Sequence, residues 1–478
     1  MKGSLYNELI KNKQKNSISF HMPGDKYGRL FNMDNLAALD VTELEGLDNL
    51  HAPSGIILEA QERASKLYQS YKSFFLVNGS TVGILASIIG LTNKGDKILM
   101  TRNSHKSVYN AVMLNELNPI YVYPDIINEY SCANGISAKA IEEKLVLNNN
   151  IKVVVVTSPT YEGIMSNIKE ISKVTRKYDI PLIVDEAHGA HLKFHSYFPE
   201  SALDQGGDIV IHSLHKTLPA LTQTGLLHIN SDKINDYKIK QLLSTFQSSS
   251  PSYILMASMD YCLGLINDKG KELFHNYIQQ LEYYTQVLRE KLLKIKIMNR
   301  NIIKNKYGFD IDPSKLLFYC GETNITGNVL VKKLREKYNI QLELSNILYG
   351  LGMTSISNIE DDYKALVKSL KDIDSKIKKK EKSADKYDKI LLEQALLPHK
   401  AINKKTRKIS IIDCENCIAG EYIIPYPPGI PLVVPGEIIT KDTIECLFEY
   451  KKHNMSIIGL SDLSLEKINI IEEVTYAR

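Results

Sequence analysis

Between about residues 50 and 230, short continuous apolar runs alternate with stretches in which apolar residues recur every three or four positions. FFLVN (74–78), KILMT (97–101), PIYVYP (119–124), KVVVVTSP (152–159), PLIVDEA (181–187), DIVIHS (208–213) and GLLHIN (225–230) read as strands. Their hydrophobicity does not alternate, so both faces of each strand are expected to be covered, as parallel strands between helices are. TVGILASIIGL, SVYNAVMLNEL, AKAIEEKLVLN and IKEISKVTRKY lie between them with helical period. The pattern predicts an α/β large domain built on a mostly parallel sheet.

After Pro251 the helical period runs on to about residue 298 and leads into a smaller α+β C-terminal region. The expected division is an N-terminal arm (1–50), a large domain (51–298) and a C-terminal region (299–478). A lysine-rich stretch, 371–389, interrupts the last of these. Its single aromatic residue, Tyr387, makes no stacking platform, so it reads as a solvated helix face or linker rather than a nucleic-acid contact.

With 44% apolar and 24% charged residues, the 478-residue chain has globular composition and room for two or three domains. Lys and Arg number 59 against 55 Asp and Glu, and a net charge of +4 gives no reason to expect nucleic acid as a partner. No apolar run is long enough to cross a bilayer, and the first twenty residues lack the apolar core of a secretory signal. Six cysteines in a chain of this size suit a reducing cytoplasm, and the CxxC of Cys414 and Cys417 has no second pair with which to bind a metal.

Ligands of open α/β sheets gather at the carboxyl ends of strands, so polar residues directly after apolar runs come first. Asn78-Gly79-Ser80-Thr81 ends one run and opens a helix. There Gly79 permits a tight turn, and Ser80, Thr81 and the free N–H groups of the first helical turn form an anion cradle or simply a helix cap. Asp185 comes straight off PLIVD, with His188 three residues on. A buried carboxylate at that place needs a cationic partner, and a protonated pyridine nitrogen would be one. Ser213, His215 and Lys216 follow the run DIVIH, Lys216 lying 31 residues beyond Asp185, a spacing that fits one crossover. Lysine at a strand end is ordinarily solvated, but one with buried apolar flanks is placed for Schiff-base chemistry.

Cradle, strand-end Asp and later strand-end Lys in this order resemble the large domain of fold-type I pyridoxal-phosphate enzymes. Six motifs narrow the resemblance: His21-Met22-Pro23-Gly24, Asp40-Val41-Thr42-Glu43-Leu44, Asn78-Gly79-Ser80-Thr81, Arg102-Asn103-Ser104-His105-Lys106-Ser107, Ser213-Leu214-His215-Lys216-Thr217-Leu218-Pro219 and Pro425-Tyr426-Pro427-Pro428-Gly429-Ile430-Pro431. From about residue 20 to 440, in family order, they are similar to the Orn/Lys/Arg decarboxylase family.

The resemblance implies pyridoxal 5'-phosphate attached through Lys216, with Asp185 holding the ring nitrogen protonated and His105 stacked on the ring. It implies phosphate contacts from Ser80, Thr81, Ser213 and His215, and places His188 near the ring hydroxyl. SSSPSY (248–253) resembles a segment that reaches the neighbouring subunit's cofactor, which makes Ser249 a phosphate ligand across a homodimer. The implied reaction is decarboxylation of a basic L-amino acid to the amine, a polyamine precursor. Arginine stands first because the chain resembles short-form bacterial members, with lysine and ornithine behind it. Glu343 in IQLELS and Glu437 in VVPGEII are candidate acids for the basic end of the substrate, and Lys216 or His105 could return the proton to the α-carbon.

Two departures stand out. Asp25 occupies a position where the family usually has His, and the chain starts too close to His21 to hold the extra N-terminal domain of the large acid-inducible members. The main alternative is transamination on the same scaffold, and a second is a catalytically silent regulatory homologue. Transaminases of this fold type commonly clamp the substrate carboxylate with a small-domain arginine. Of Arg300, Arg335, Arg407 and Arg478, only Arg407 precedes an apolar run, and its lysine neighbours favour a surface place.

Overall fold

In the computed structural model of the chain, residues 5–31, 36–381, 390–426, 429–453 and 455–472 are described. Strands β1 (Lys72–Leu76), β2 (Lys97–Thr101), β3 (Asn118–Val122), β4 (Ile151–Thr157), β5 (Leu182–Asp185), β6 (Ile209–Ser213) and β7 (Gly225–Ile229) form one sheet in the order β1-β7-β6-β5-β4-β2-β3. Strand β7 is antiparallel to both neighbours, and the remaining pairings are parallel.

The unbroken apolar runs feed two cores. Val154, Val156, Leu182, Val184 and Val210 pack on one face, and Val153, Val155, Ile183, Ile209 and Ile211 on the other, all fully buried. Each such side chain contributes roughly 1.5–3 kcal/mol of transfer free energy. Helices α1 (Ile56–Tyr68), α2 (Gly79–Leu91), α3 (Lys106–Leu114), α4 (Ala138–Leu147) and α5 (Ile168–Lys177) supply the cover. Residues of α1, α4 and α5 enter the first core, and those of α2 and α3 the second. Ser137 and Asn167 cap α4 and α5 by accepting the N–H groups of Ala140 and Glu170.

Helix α6 (Tyr253–Lys291) starts from the Ser252 cap. It stops short of the expected end near residue 298, because the Asp374 carboxylate accepts the N–H groups of Leu293, Lys294 and Ile295 and draws the chain out of the helix. An antiparallel sheet of Lys296–Ile297, Lys315–Tyr319, Tyr349–Met353 and Leu344–Ser345 follows. Packed with it are α7 (Gly327–Tyr338) and α8 (Glu360–Lys376). Helix α8 takes in the front of the lysine-rich stretch, and 382–389 lie outside the described residues. Ile18–Phe20 of the arm pairs in parallel with Ile340–Leu342.

A third apolar core, with Ile411, Cys414, Ile423, Val433 and Ile468, holds the C-terminal region together. Arg102, at the end of β2, ties it to the large sheet. The guanidinium lies 3.0 Å from the Glu437 carboxylate, reaches the carbonyls of Pro431 and Leu432 at 2.6 and 3.1 Å, and donates to the Tyr109 hydroxyl. Among the described residues, no helix is long and apolar enough to cross a membrane.

Candidate active site

A cavity of about 280 Å³ opens at the carboxyl ends of β4, β5 and β6. Thr157, Asp185 and Ser213 end those strands and line it. Thr157 is the register partner of Asp185, so the parallel pairing alone sets these two side by side. Met22 of the arm and Tyr426 and Ile430 of the C-terminal region complete the wall, so three parts of the chain meet there.

The turn into α2 has Gly79 at φ +75°, a left-handed conformation that glycine adopts without steric cost. It brings Ser80 and Thr81 to the cavity at the N-terminal end of α2, where backbone N–H groups lack helical acceptors. Across from them, the buried Ser213 hydroxyl has no hydrogen-bond partner, and neither does that of Thr157. His215 is fixed by a 2.9 Å contact from Nδ1 to the Thr224 carbonyl, which leaves Nε2 as its remaining polar atom. Burial, only partly offset by that carbonyl, lowers its pKa to about 4.

Asp185 is 3% exposed and accepts a single N–H, from Ala187 at 3.2 Å. Burial pushes its carboxyl up, while Lys216 and the Ala187 N–H pull the other way. His105 caps α3, its Nδ1 accepting from the Ser107 N–H at 3.3 Å. Burial first, then Lys216 and Lys106, take its pKa down to about 3, so the ring is neutral near pH 7. Gly429, at φ +87°, lies so close to this ring that an added Cβ would stand 3.4 Å from it. Lys216 Nζ is 3.0 Å from His188 Nε2. Burial lowers its pKa against the opposing pull of Asp185 and Glu343.

These residues fit the cofactor that the sequence motifs imply. An orphaned hydroxyl and unpaired helix N–H groups suit a phosphate, and an under-satisfied buried carboxylate suits a protonated ring nitrogen. Lys216 offers an amine of lowered pKa, and His105 a neutral flat ring.

Other candidates fall elsewhere. Glu437 is fully buried against Arg102 and the Val434 N–H, so the expectation that it meets a substrate at the pocket mouth is corrected: it locks two parts of the fold together. Glu343 sits behind the wall, accepting from the Tyr161 hydroxyl at 2.6 Å and the Met22 N–H at 2.7 Å. Ser249 is exposed and does not line the cavity of its own chain. Asp25 caps the turn that follows it, accepting from the N–H groups of Leu30 and Phe31 at 2.9 Å each. Arg300 is paired with Asp310, Arg407 is exposed on strand Thr406–Ser410, and Arg478 lies outside the described residues.

Sequence reasoning passed over Thr157, Tyr161 and Lys315. Thr157 had a signal, being the first polar residue after KVVVV. Tyr161 and Lys315 had none, since what distinguishes them is contact with His188: the Tyr161 ring lies 4.6 Å from its ring and Lys315 Nζ 3.3 Å from Nδ1.

Residues 3–324 match the major domain of the Orn/Lys/Arg decarboxylases, and residues 380–457 match their C-terminal domain. The arginine decarboxylase of Bacillus subtilis (strain 168) is 31% identical to this chain, covering 98% of each. A second protein of the same strain, named "Uncharacterized protein YaaO", is 36% identical over 94% of each. The crystal structure of the Francisella novicida lysine decarboxylase LdcF superposes with a TM-score of 0.77, covering 98% of this chain and 83% of that one. At 21% sequence identity, that likeness speaks for the fold.

Proposed function

Because the chain belongs to the Orn/Lys/Arg decarboxylase family and is a pyridoxal-phosphate-dependent amino-acid decarboxylase, we propose that it removes the α-carboxylate of a basic L-amino acid, arginine before lysine or ornithine. The product is the matching amine, which serves polyamine formation. The observation that carries this reading is the convergence of Lys216, Asp185 and His105 on one cavity whose described lining contains no arginine. Bound there, pyridoxal phosphate supplies an electron sink for the pair left on the α-carbon when carbon dioxide departs.

Asp185 would support that sink by a charge-assisted hydrogen bond to the ring nitrogen. Ser80, Thr81, Ser213 and His215 would hold the phosphate, and His105 would cover the ring face. His188 is held against Lys216 Nζ, so we assign it to orienting that amine. With no guanidinium in the described wall, the substrate carboxylate would be left unclamped and free to depart as carbon dioxide. Lys216, with its lowered pKa, is the better donor of the proton to the α-carbon, because His105 is held neutral. Glu343, whose partners Met22 and Tyr161 line the cavity, is the acid we assign to the basic end of the substrate.

Carboxyl-labelled arginine, lysine and ornithine test this directly. Arginine is expected to release labelled gas fastest and leave agmatine, with no 2-oxo acid required. Conversion of an added 2-oxo acid to its amino acid without gas release would establish transamination instead.

We further propose a homodimer in which Ser249 completes the partner's phosphate site. Its support is that Ser249 is exposed while its neighbour Ser248 lies against Asn78, at the start of α2. Mixing inactive Lys216→Ala with inactive Ser249→Glu should restore roughly a quarter of wild-type activity, since half the dimers are mixed and each has one intact site. No recovery despite measured subunit exchange would rule out the shared site.

A further inference from the structure

Of the arm motif His21-Met22-Pro23-Gly24, Met22 lines the cavity, while Gly24 lies buried against the turn that carries Lys216. That turn is a single helical one, Leu214–Thr217. A helix so short does not hold itself, because its few hydrogen bonds do not offset the cost of ordering the chain. The Leu214 carbonyl accepts the Leu218 N–H at 2.9 Å. The next carbonyl, that of His215, would look to residue 219, which is a proline and has no N–H to donate.

Gly24 supplies that donor. Its N–H is 2.8 Å, nitrogen to oxygen, from the His215 carbonyl, which belongs to the peptide unit leading directly into Lys216. Beyond Lys216, Gly24 packs on the peptide between Thr217 and Leu218. An added Cβ would stand 2.7 Å from the Thr217 carbonyl carbon and from the nitrogen and oxygen of Leu218. These are backbone atoms and cannot swing aside like the end of a flexible side chain, so glycine is required for the close approach. One residue of the arm thus grips the main chain on both sides of Lys216.

Gly24 is itself held from the opposite side. Its carbonyl accepts the hydroxyl of Ser355, which lies just beyond the strand Tyr349–Met353. Lys26, 2% exposed, donates to the carbonyls of His21 and Met353 at 2.7 and 2.9 Å. Arg29 pairs with Asp362 of α8, with 3.0 Å from Nη2 to Oδ1. Together with the pairing of Ile18–Phe20 to Ile340–Leu342, these contacts fasten the arm to the part of the chain that follows α6. The candidate phosphate ligands have anchors of their own. Ser80 and Thr81 stand on α2, Ser213 ends β6, and the His215 ring is fixed by the Thr224 carbonyl at 2.9 Å.

We propose that Gly24 is a positioning residue: by gripping the backbone on either side of Lys216, it aims the Lys216 amine at the cofactor independently of the phosphate cradle. The inference rests on the reading of Lys216 as the cofactor-bearing lysine. It gives the glycine of the arm motif a part in cofactor attachment, in which the Lys216 amine and the cofactor aldehyde condense to one C=N bond with loss of one water.

The test uses cofactor-free protein and needs no substrate. Pyridoxal 5'-phosphate is added at saturation, borohydride stops the reaction at timed intervals, and the mass of the Lys216 peptide gives the rate of attachment. Pyridoxine 5'-phosphate, which has an alcohol in place of the aldehyde and cannot bond to an amine, reports binding alone by calorimetry. Gly24→Ala is expected to slow attachment at least about tenfold, since misplacing a reacting group by about 1 Å costs up to about 100-fold. The same variant should bind the alcohol as wild type does. Ser355→Ala frees the Gly24 carbonyl without adding an atom, and should slow attachment about threefold, the scale of one lost hydrogen bond, again with alcohol binding intact. An unchanged attachment rate in Gly24→Ala overturns the proposal. So does a fall of both readouts by the same factor, which is what a merely structural glycine gives. If Gly24→Ala does not fold, Ser355→Ala decides: slower attachment with intact alcohol binding upholds the proposal, and an unchanged rate overturns it. A wild-type label on a lysine other than Lys216 would instead overturn the reading on which the inference rests.

Discussion

Charge is buried in two very different ways in this chain. At the junction of the large sheet with the C-terminal region, Arg102 meets Glu437 one to one, with carbonyl oxygens and the Tyr109 hydroxyl taking other guanidinium protons. At the cavity, like charges crowd: Lys216 and Lys315 share a single imidazole, and Asp185 has one backbone donor. The first arrangement holds parts of the molecule together. The second costs folding free energy and keeps groups in the protonation states that chemistry needs, which is why perturbed titration marks functional sites.

The contrast breaks if mutations in the two places have the same consequence. The largest effect is expected for Lys216→Ala, with turnover down on the order of 10⁴-fold or more, as for loss of a covalent participant. Its cofactor-free form should melt no lower than wild type in calorimetry, since the amine that goes is one whose charged form burial disfavours. Arg102→Met should do the reverse. Leaving Glu437 buried and unpaired is expected to cost about 3–5 kcal/mol by denaturant titration, and any lost turnover should follow the lost folded fraction. Asp185→Asn sharpens the picture within the site. It should lower turnover roughly 10²–10³-fold, the scale of removing one preorganised electrostatic group. Because burial raises the folded-state pKa of Asp185, the ionised carboxylate costs stability, and that cost is relieved as pH falls through the raised pKa. Above that pH, cofactor-free Asp185→Asn is therefore expected to melt at or above the wild-type temperature, and at lower pH the difference should shrink.

How far the chain could be read in advance follows the same division. Runs such as KILMT and KVVVV show their strands plainly, because residues buried on both faces leave no polar alternation. That signature says nothing of direction, so the antiparallel course of β7 was not legible in GLLHI. Asp185 and Ser213 were legible, and Thr157 was open to the same reading though passed over, because parallel pairing carries all three strand ends to one edge whatever the rest of the chain does. Glu437 and Lys315 were not. Each is a common surface residue type whose burial is decided by a partner far off in sequence: Arg102 for one, and His188 on the loop after β5 for the other. Asp374, which ends α6, is hidden for the same reason.

The pairing of Ile18–Phe20 with Ile340–Leu342 sets a clock on synthesis. Ile18 leaves the ribosome about 320 residues before its partner, and at roughly 5–20 residues per second that delay is on the order of 15–65 s. Met22, only two residues beyond that strand, helps wall the cavity, and Tyr426 and Ile430 close it later still. A nascent chain can therefore assemble the sheet that bears Asp185 and Ser213 well before it owns a finished pocket. Throughout that interval the arm is an unpaired apolar segment, exposed to whatever chaperone or neighbouring chain meets it first.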